Sequence, residues 1–500
     1  MIDYTGHFMV DIGLATITAF AHKRHPTQLT KSDLKAAADY MYHNYTQEPL
    51  RSFLSVAFTS NAWFIQSAYD PKKSGLEPEQ RERRSKERQL WAKRHLYQWM
   101  EQVDSNTQER DIFTGEPIAP LPLSKRLKAG RGGRVQIPLT LGDKNINFLP
   151  YGEAGIPVSG LTILAISMMP LGCAKVGGRL LAVHSDNEKW IMYFARTFLR
   201  ENRQKIQLAQ AAGSTKMPEP PYSQRTFLIQ TLLQAEEFQQ ESIEEEEPFS
   251  LTIYHLSNSG QGPGLNIYHL PFEISGFLRI VQQPRYREQW QAIVQRAWER
   301  PPRRKRKPKK PFQPTRNWLY EDLFDLPDNA PQFIRTYFLR IALRYARNKN
   351  DPRVDYSLQQ EAQLVSWKIT SLFLRRVMHM DKDRIESIRN LGDQLAEYVA
   401  SQNDRRFFRQ FYTLQRYDYF RNELIKANLA HVKRGNPPFI TLDPYIEIFE
   451  EGDDVARPDW RLARDLVLIR MVERLYENGW LGGNADILPE ETDDSTNTNS

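Results

Sequence analysis

From about Asp328 onward, apolar residues return at i, i+3 and i+4 through one long stretch after another. A chain with that period must bury a stripe of each helix against neighbouring helices, which constrains the region to a helical bundle. The predicted spans are Asp328–Arg347, Asp355–Arg376, Asp381–Gln402, Asp404–Lys433 and Arg457–Asn478. Several begin at an aspartate, whose carboxylate can accept the free N–H groups of a first helical turn.

Upstream, no single period persists. Gly6 to Phe20, GHFMVDIGLATITAF, is almost wholly apolar and predicts a buried element. Thr30 suits the N-cap of a helix running through about Asn44, and Phe53 to Phe58 fits a strand or a short buried helix. A charged helical stretch between Pro71 and Val103 carries Leu90, Trp91, Leu96, Tyr97 and Trp99 as its apolar stripe. Glycine and arginine then fill Lys125 to Arg134, which reads as a loop. Gly and Pro recur across Leu149 to Asn187, around apolar runs at Leu161 to Met169 and Arg179 to His184, before helix resumes over Glu188 to Gln210. Leu251 to Leu256 and Leu265 to Leu270 alternate β-branched and aromatic residues about an eight-residue Ser, Asn and Gly-rich connection, a long-looped β-hairpin. The fold class expected is α+β: a mixed N-terminal domain with β-hairpins, then an all-α helical bundle. Five hundred residues exceed what one core supports. The expected divisions are 1–325, 326–485 and a disordered acidic tail at 486–500.

The formal charge of +7 understates the basic body of the chain. Asp486 to Ser500 holds five acids and Glu236 to Glu247 seven, neither with a Lys or Arg, so the remainder carries +19. Such a surplus favours a polyanionic partner, because cations that neutralise phosphates release condensed counterions. Cys173 is the only cysteine, which excludes an intramolecular disulfide and a cysteine-based zinc site. The N-terminus lacks a secretory pattern and no apolar run reaches membrane-spanning length, so the expectation is a cytoplasmic chain without membrane contact. His184-Ser185-Asp186 has the letters of a hydrolase triad, but adjacent residues cannot relay a proton in series, and no nucleophile elbow, phosphate loop or H-E-x-x-H motif is present. Glu244 to Glu247 reads as a solvated acidic run. No enzyme activity, catalytic residue, cofactor or metal site is expected.

Three basic clusters carry the functional reading instead. Lys125, Arg126, Lys128, Arg131 and Arg134 sit among glycines that let a backbone approach phosphate closely. Arg300 to Lys310 packs eight cations into eleven residues with intervening prolines; Arg303, Arg304, Lys305, Arg306, Lys307, Lys309 and Lys310 are its phosphate candidates. Arg405, Arg406, Arg409 and Arg416 interleave with Phe407, Phe408, Phe411, Tyr412 and Tyr417, a stripe suited to a displaced single strand. In the hairpin connection, the amides of Asn258 and Gln261 are candidate readers of base edges, although a long turn built of ordinary turn residues explains them as well.

Gly6 to Phe20, the segment LPYGEAGIPVSGLTILAISMMPLGCAKVGGRLLAVHSDN at Leu149 to Asn187, and the hairpin with Asn258 to Pro263 together resemble the large subunit of type I-B CRISPR Cascade, the branch once named for a CXXC–CXXC pattern. The likeness covers roughly the first 280 residues by motif, and the helical remainder resembles the Cascade small subunit in character. Where many members of that family place paired cysteines, this chain has Ile112 to Gly115 and Val158 to Leu161, so packing must replace the zinc site. The resemblance implies a non-catalytic subunit that recognises a protospacer-adjacent motif in duplex DNA and promotes unwinding and R-loop formation while a guide RNA reads the sequence. Implied partners are crRNA, the double-stranded target and its displaced strand, the backbone, handle-binding and small Cascade subunits, and a helicase-nuclease or a transposition adaptor. Met378 or Met380 could start a separate small subunit. Two other classes stay open: a free-standing protein that binds single-stranded nucleic acid, and a metal-dependent nuclease.

Overall fold

Twelve of the thirteen residues of helix α1, Phe8–Phe20, are buried, as a helix apolar on every side requires. In the computed structural model of the chain, which describes residues 2–102, 108–146, 152–235, 248–258, 262–301, 311–338, 352–353, 367–451, 455–484 and 486, α1 packs against α5, Gly160–Met168, and α6, Glu188–Ala211. Asp11 is buried in this apolar helix. Its carboxylate accepts the backbone N–H groups of Thr5 and Gly6 at 2.7 and 2.9 Å, the Thr5 hydroxyl at 2.8 Å, and lies 2.9 Å from His184 Nε2. Those partners satisfy a charge that would otherwise be too costly to bury.

The described residues form two compact units, Met1–Gln224 with Phe249–His269, and Arg225–Pro248 with Leu270–Ser500. The units thus divide the chain at different residues from the expected 325, because the second takes in helices Phe272–Val281 and Pro284–Arg296. The fold class is α+β, as expected.

In the first unit, α2, Lys31–Asn44, opens on a capping box in which Thr30 and Asp33 satisfy each other's backbone N–H groups. Phe53 falls in a short helix, α3, Leu50–Leu54, and the charged stretch forms α4, Pro78–Leu96. Strands β1, Arg131–Gly132, and β2, Ile156–Pro157, pair antiparallel. A four-stranded sheet runs in the order β3 (Ala174–Val176), β4 (Arg179–Ser185), β5 (Leu251–Ser257), β6 (Gly264–Leu270). β4 pairs antiparallel with both β3 and β5. The expected hairpin strands are therefore neighbours, with β6 at the sheet edge.

The second unit is helical among its described residues. Asp381 and Asp404 cap helices Lys382–Gln402 and Arg405–Thr413 with their carboxylates. Helix Lys382–Gln402 packs along Trp460–Glu477, where Arg470 Nε donates to Asp393 at 2.7 Å. The predicted helix Asp404–Lys433 is two: Arg405–Thr413 and Tyr417–Lys433. Between them Leu414 and Arg416 are extended, and the carbonyls of Leu414 and Gln415 accept from Arg464 and from Arg461, the latter at 3.0 Å. Those arginines satisfy acceptors that the interrupted helix leaves open.

The segments Ile112–Gly115 and Val158–Leu161 do lie side by side. Ile112 N donates to Pro157 O at 3.3 Å and Ala119 N to Val158 O at 2.8 Å. The buried Asp111 carboxylate holds them, accepting from Phe113 N at 2.8 Å, Ser159 N at 2.7 Å and the Thr162 hydroxyl at 2.5 Å. A polar hub, and not apolar packing alone, joins these segments. They offer no thiolate or imidazole for zinc.

Candidate nucleic-acid interface

Lys125–Arg134 runs from β1's approach into β1 itself, and its glycines serve packing. Gly130 has φ +72° and a Cβ there would lie 2.7 Å from the Ala119 carbonyl oxygen, so the segment crosses the 118–119 backbone where no other residue fits. Arg131 is fully buried. Its guanidinium donates to Ala154 O at 2.9 Å, Gly155 O at 2.8 Å and Glu109 at 2.7 Å, clamping β2 to β1. With its donors engaged inside the fold, Arg131 does not present itself to phosphate as expected.

Arg134 and Asn258, expected in separate roles, meet. Arg134 Nε donates to Asn258 Oδ1 at 2.8 Å, Asn258 Nδ2 returns a bond to the Arg134 carbonyl at 3.2 Å, and Asn258 N donates to Val56 O at 2.7 Å. Asn258 has no exposed surface. In this arrangement its amide reads its own chain, not a base edge; it fixes the end of β5 to the basic segment. Gln261 lies outside the described residues.

What remains at the surface is Lys125, Arg126 and Lys128. Lys125 Nζ donates to Glu87 of α4 at 2.8 Å, and that bond raises its pKa; Lys128 Nζ lies 2.5 Å from Glu153. Both lysines are about two-thirds exposed or more, at 66% and 72%, so solvent screens these pairs and they hold the side chains only weakly. Arg126 is exposed and has no acidic partner among the described residues. Arg83 of α4 lies near enough to Lys125 for its charge to act on it, which extends the cationic surface onto that helix. The composition of the loop revealed these cations, but not the neighbouring Arg83, whose helix reads as an ordinary charged face.

The second cluster, Arg303 to Lys310, lies outside the described residues. The third belongs to the second unit and is not a single stripe. Arg406 and Arg409 are exposed on helix Arg405–Thr413, Arg405 pairs with Asp486, and Arg416 sits beyond the helix break, 2.7 Å from Asp418 with its guanidinium 4.7 Å from the Tyr419 ring centroid. Phe407, Phe408 and Phe411 are buried beneath, as the amphipathic reading of the aromatics requires.

The described residues also locate the triad letters. His184 faces Asp11, whereas the Ser185 hydroxyl donates to Ser250 O at 2.7 Å, so consecutive strand residues turn to opposite sides and form no relay. Asp3, His25 and Glu188 cluster at the surface, with His25 Nε2 2.9 Å from Glu188. Because His25 Nδ1 accepts the Thr27 N–H at 3.3 Å, Nε2 is the ring's donor and gives its hydrogen bond to the Glu188 carboxylate. Among the described residues no helix is long and apolar enough to cross a membrane. Compared with family models, curated proteins and solved structures, the chain matches none.

Proposed function

We propose that the chain is a non-catalytic subunit of a crRNA-guided complex of the type I-B Cascade kind, holding nucleic-acid phosphates on the surface formed by Lys125, Arg126, Lys128 and Arg83. The observation that carries this reading is mechanical as well as electrostatic: the basic segment is braced by Arg131 and by the Arg134–Asn258 pair, while its outer cations stay exposed. A fixed array of cations binds a backbone at a smaller cost in ordering than a floppy one. Arg406 and Arg409 in the second unit would guide a displaced strand. Motif recognition in the duplex, strand opening and recruitment of a helicase-nuclease or a transposition adaptor belong to the same proposal, with Asn258 acting as a brace and not as a reader.

Affinity isolation of the tagged chain from its native cells tests it. The expected result is co-purified guide RNA with backbone and handle-binding subunits; an RNA-free monomer, or metal-dependent cleavage of added DNA, contradicts it.

A further inference from the structure

Behind Lys125 and Arg126 the first unit holds a pocket of about 250 Å³ between α4, the 61–69 segment and residues 123–143. Its volume lies below the roughly 300–1,000 Å³ of clefts that take drug-sized ligands, which suits one heterocycle. The lining has an uneven chemistry. Lys125 and Arg126 are exposed, while Trp91 and His95 are buried on α4 and Tyr69 is half-buried. The Tyr69 and Trp91 rings lie within 25° of parallel with centroids 6.4 Å apart, near the outer limit of direct ring pairing at about 7 Å.

Two polar atoms of this lining lack protein partners. Trp91, 5% exposed, has a buried indole N–H with no acceptor, and Asp143 has a buried Oδ1 with no donor, its other oxygen being taken by the Ser124 hydroxyl. An unsatisfied buried group costs about 1–3 kcal/mol, so two in one pocket are a standing deficit that a polar ligand can relieve. His95 supplies a further acceptor: Nδ1 is 2.7 Å from the Trp91 carbonyl, which can only accept, so Nδ1 carries the proton and Nε2 keeps its lone pair. Burial pushes this imidazole down to about 4, which keeps it neutral. A carboxylate and a neutral imidazole repel or ignore a phosphate, but they accept from an exocyclic amino group, while an indole N–H donates to a ring nitrogen or carbonyl. Cations outside and mixed donors and acceptors inside match the two ends of a nucleotide.

We infer that this pocket takes a single nucleobase, stacked on Tyr69 and met by Trp91, His95 and Asp143, with its phosphate on Lys125 and Arg126. The inference rests on the reading of that surface as a nucleic-acid interface. The base would come either from an unstacked position of a bound strand or from a free nucleotide.

Full-length protein is titrated with a labelled single strand carrying one 2-aminopurine, and separately with nucleoside 5′-monophosphates followed by tryptophan emission. Anisotropy of the label reports strand binding; 2-aminopurine emission reports the base. The expected result is a change in 2-aminopurine emission on binding, whose apparent affinity falls about tenfold in Tyr69→Ala, the loss of one base–aromatic stack. Trp91→Phe keeps an aromatic side chain, removes the N–H and weakens the same signal, while a cooperative unfolding transition shows that the variant is folded. If strand binding persists and 2-aminopurine behaves alike in wild type and both variants, the pocket assignment is overturned while the phosphate surface stands. If monophosphates bind with Tyr69 dependence and no strand binds, the pocket stands with a free nucleotide as its ligand and the proposed function fails. Absence of both kinds of binding overturns both.

Discussion

Asn258 shows how one residue type supports two opposite expectations. Exposed on a glycine-rich loop, its amide would read bases; buried at the end of β5, it spends its donors and acceptor on Arg134 and Val56. The sequence cannot separate these cases, because the partner lies 124 positions away and composition carries no such pairing. Asn258→Ala removes an acceptor for a guanidinium and is expected to lower unfolding free energy by about 1.5–3 kcal/mol, measured by urea denaturation. Its effect on affinity should be equal for motif-bearing and motif-mutated duplexes; a loss confined to the motif-bearing duplex would restore the reader. His95 gives a pH dependence. Its pKa is pushed from the ordinary 6.5 down to about 4 by burial, so between those values the unfolded chain binds more protons than the folded one. Stability contributed by neutral His95 is present above about pH 6.5 and falls by about 3 kcal/mol as pH drops to 4. His95→Asn retains an N–H for the Trp91 carbonyl and should flatten denaturation midpoints measured across that range; a slope equal to wild type would show that His95 is not the group involved.

At the scale of elements, local signals were legible and distant ones were not. The Thr30 capping box, the aspartate caps at Asp381 and Asp404, and the alternation of β5 and β6 are written in a few adjacent residues, and the structure follows them. The break at Leu414 to Arg416 was hidden because the apolar period continues across it; arginines from helix Trp460–Glu477 accommodate the interruption. The Asp111 hub was hidden for a different reason: its partners Ser159 and Thr162 lie far along the chain. Likewise Trp91 read as one member of an apolar stripe, and only its unpartnered N–H in the fold distinguishes it. Gly13 on α1 shows how closely elements approach: a Cβ there would lie 2.1 Å from the Ala165 carbonyl oxygen of α5. Gly13→Ala must push α1 from α5, and is expected to cost about 3 kcal/mol or more and to lower the thermal midpoint by several degrees in calorimetry. A midpoint within a degree of wild type would mean that this helix contact is looser than described.

For the whole molecule, an excess of cations was the earliest indication of function, and folding sorts them into distinct kinds. Arg131 and Arg134 brace the first unit, Arg464 and Arg470 tie separate segments in the second, and Lys125, Arg126 and Lys128 stay exposed. Net charge therefore overstated how many of the loop cations face solvent, while the fold separates the exposed ones from those spent on internal contacts. The central claim is that these exposed cations bind a nucleic-acid backbone. Anisotropy of a labelled duplex, measured with the full chain at salt from roughly 50 to 200 mM, tests it most directly. The account predicts that log K falls linearly with log salt, and that Arg126→Gln with Lys128→Gln weakens binding across all sequences and reduces the slope by about 2. Affinity and slope unchanged by the double substitution would contradict it.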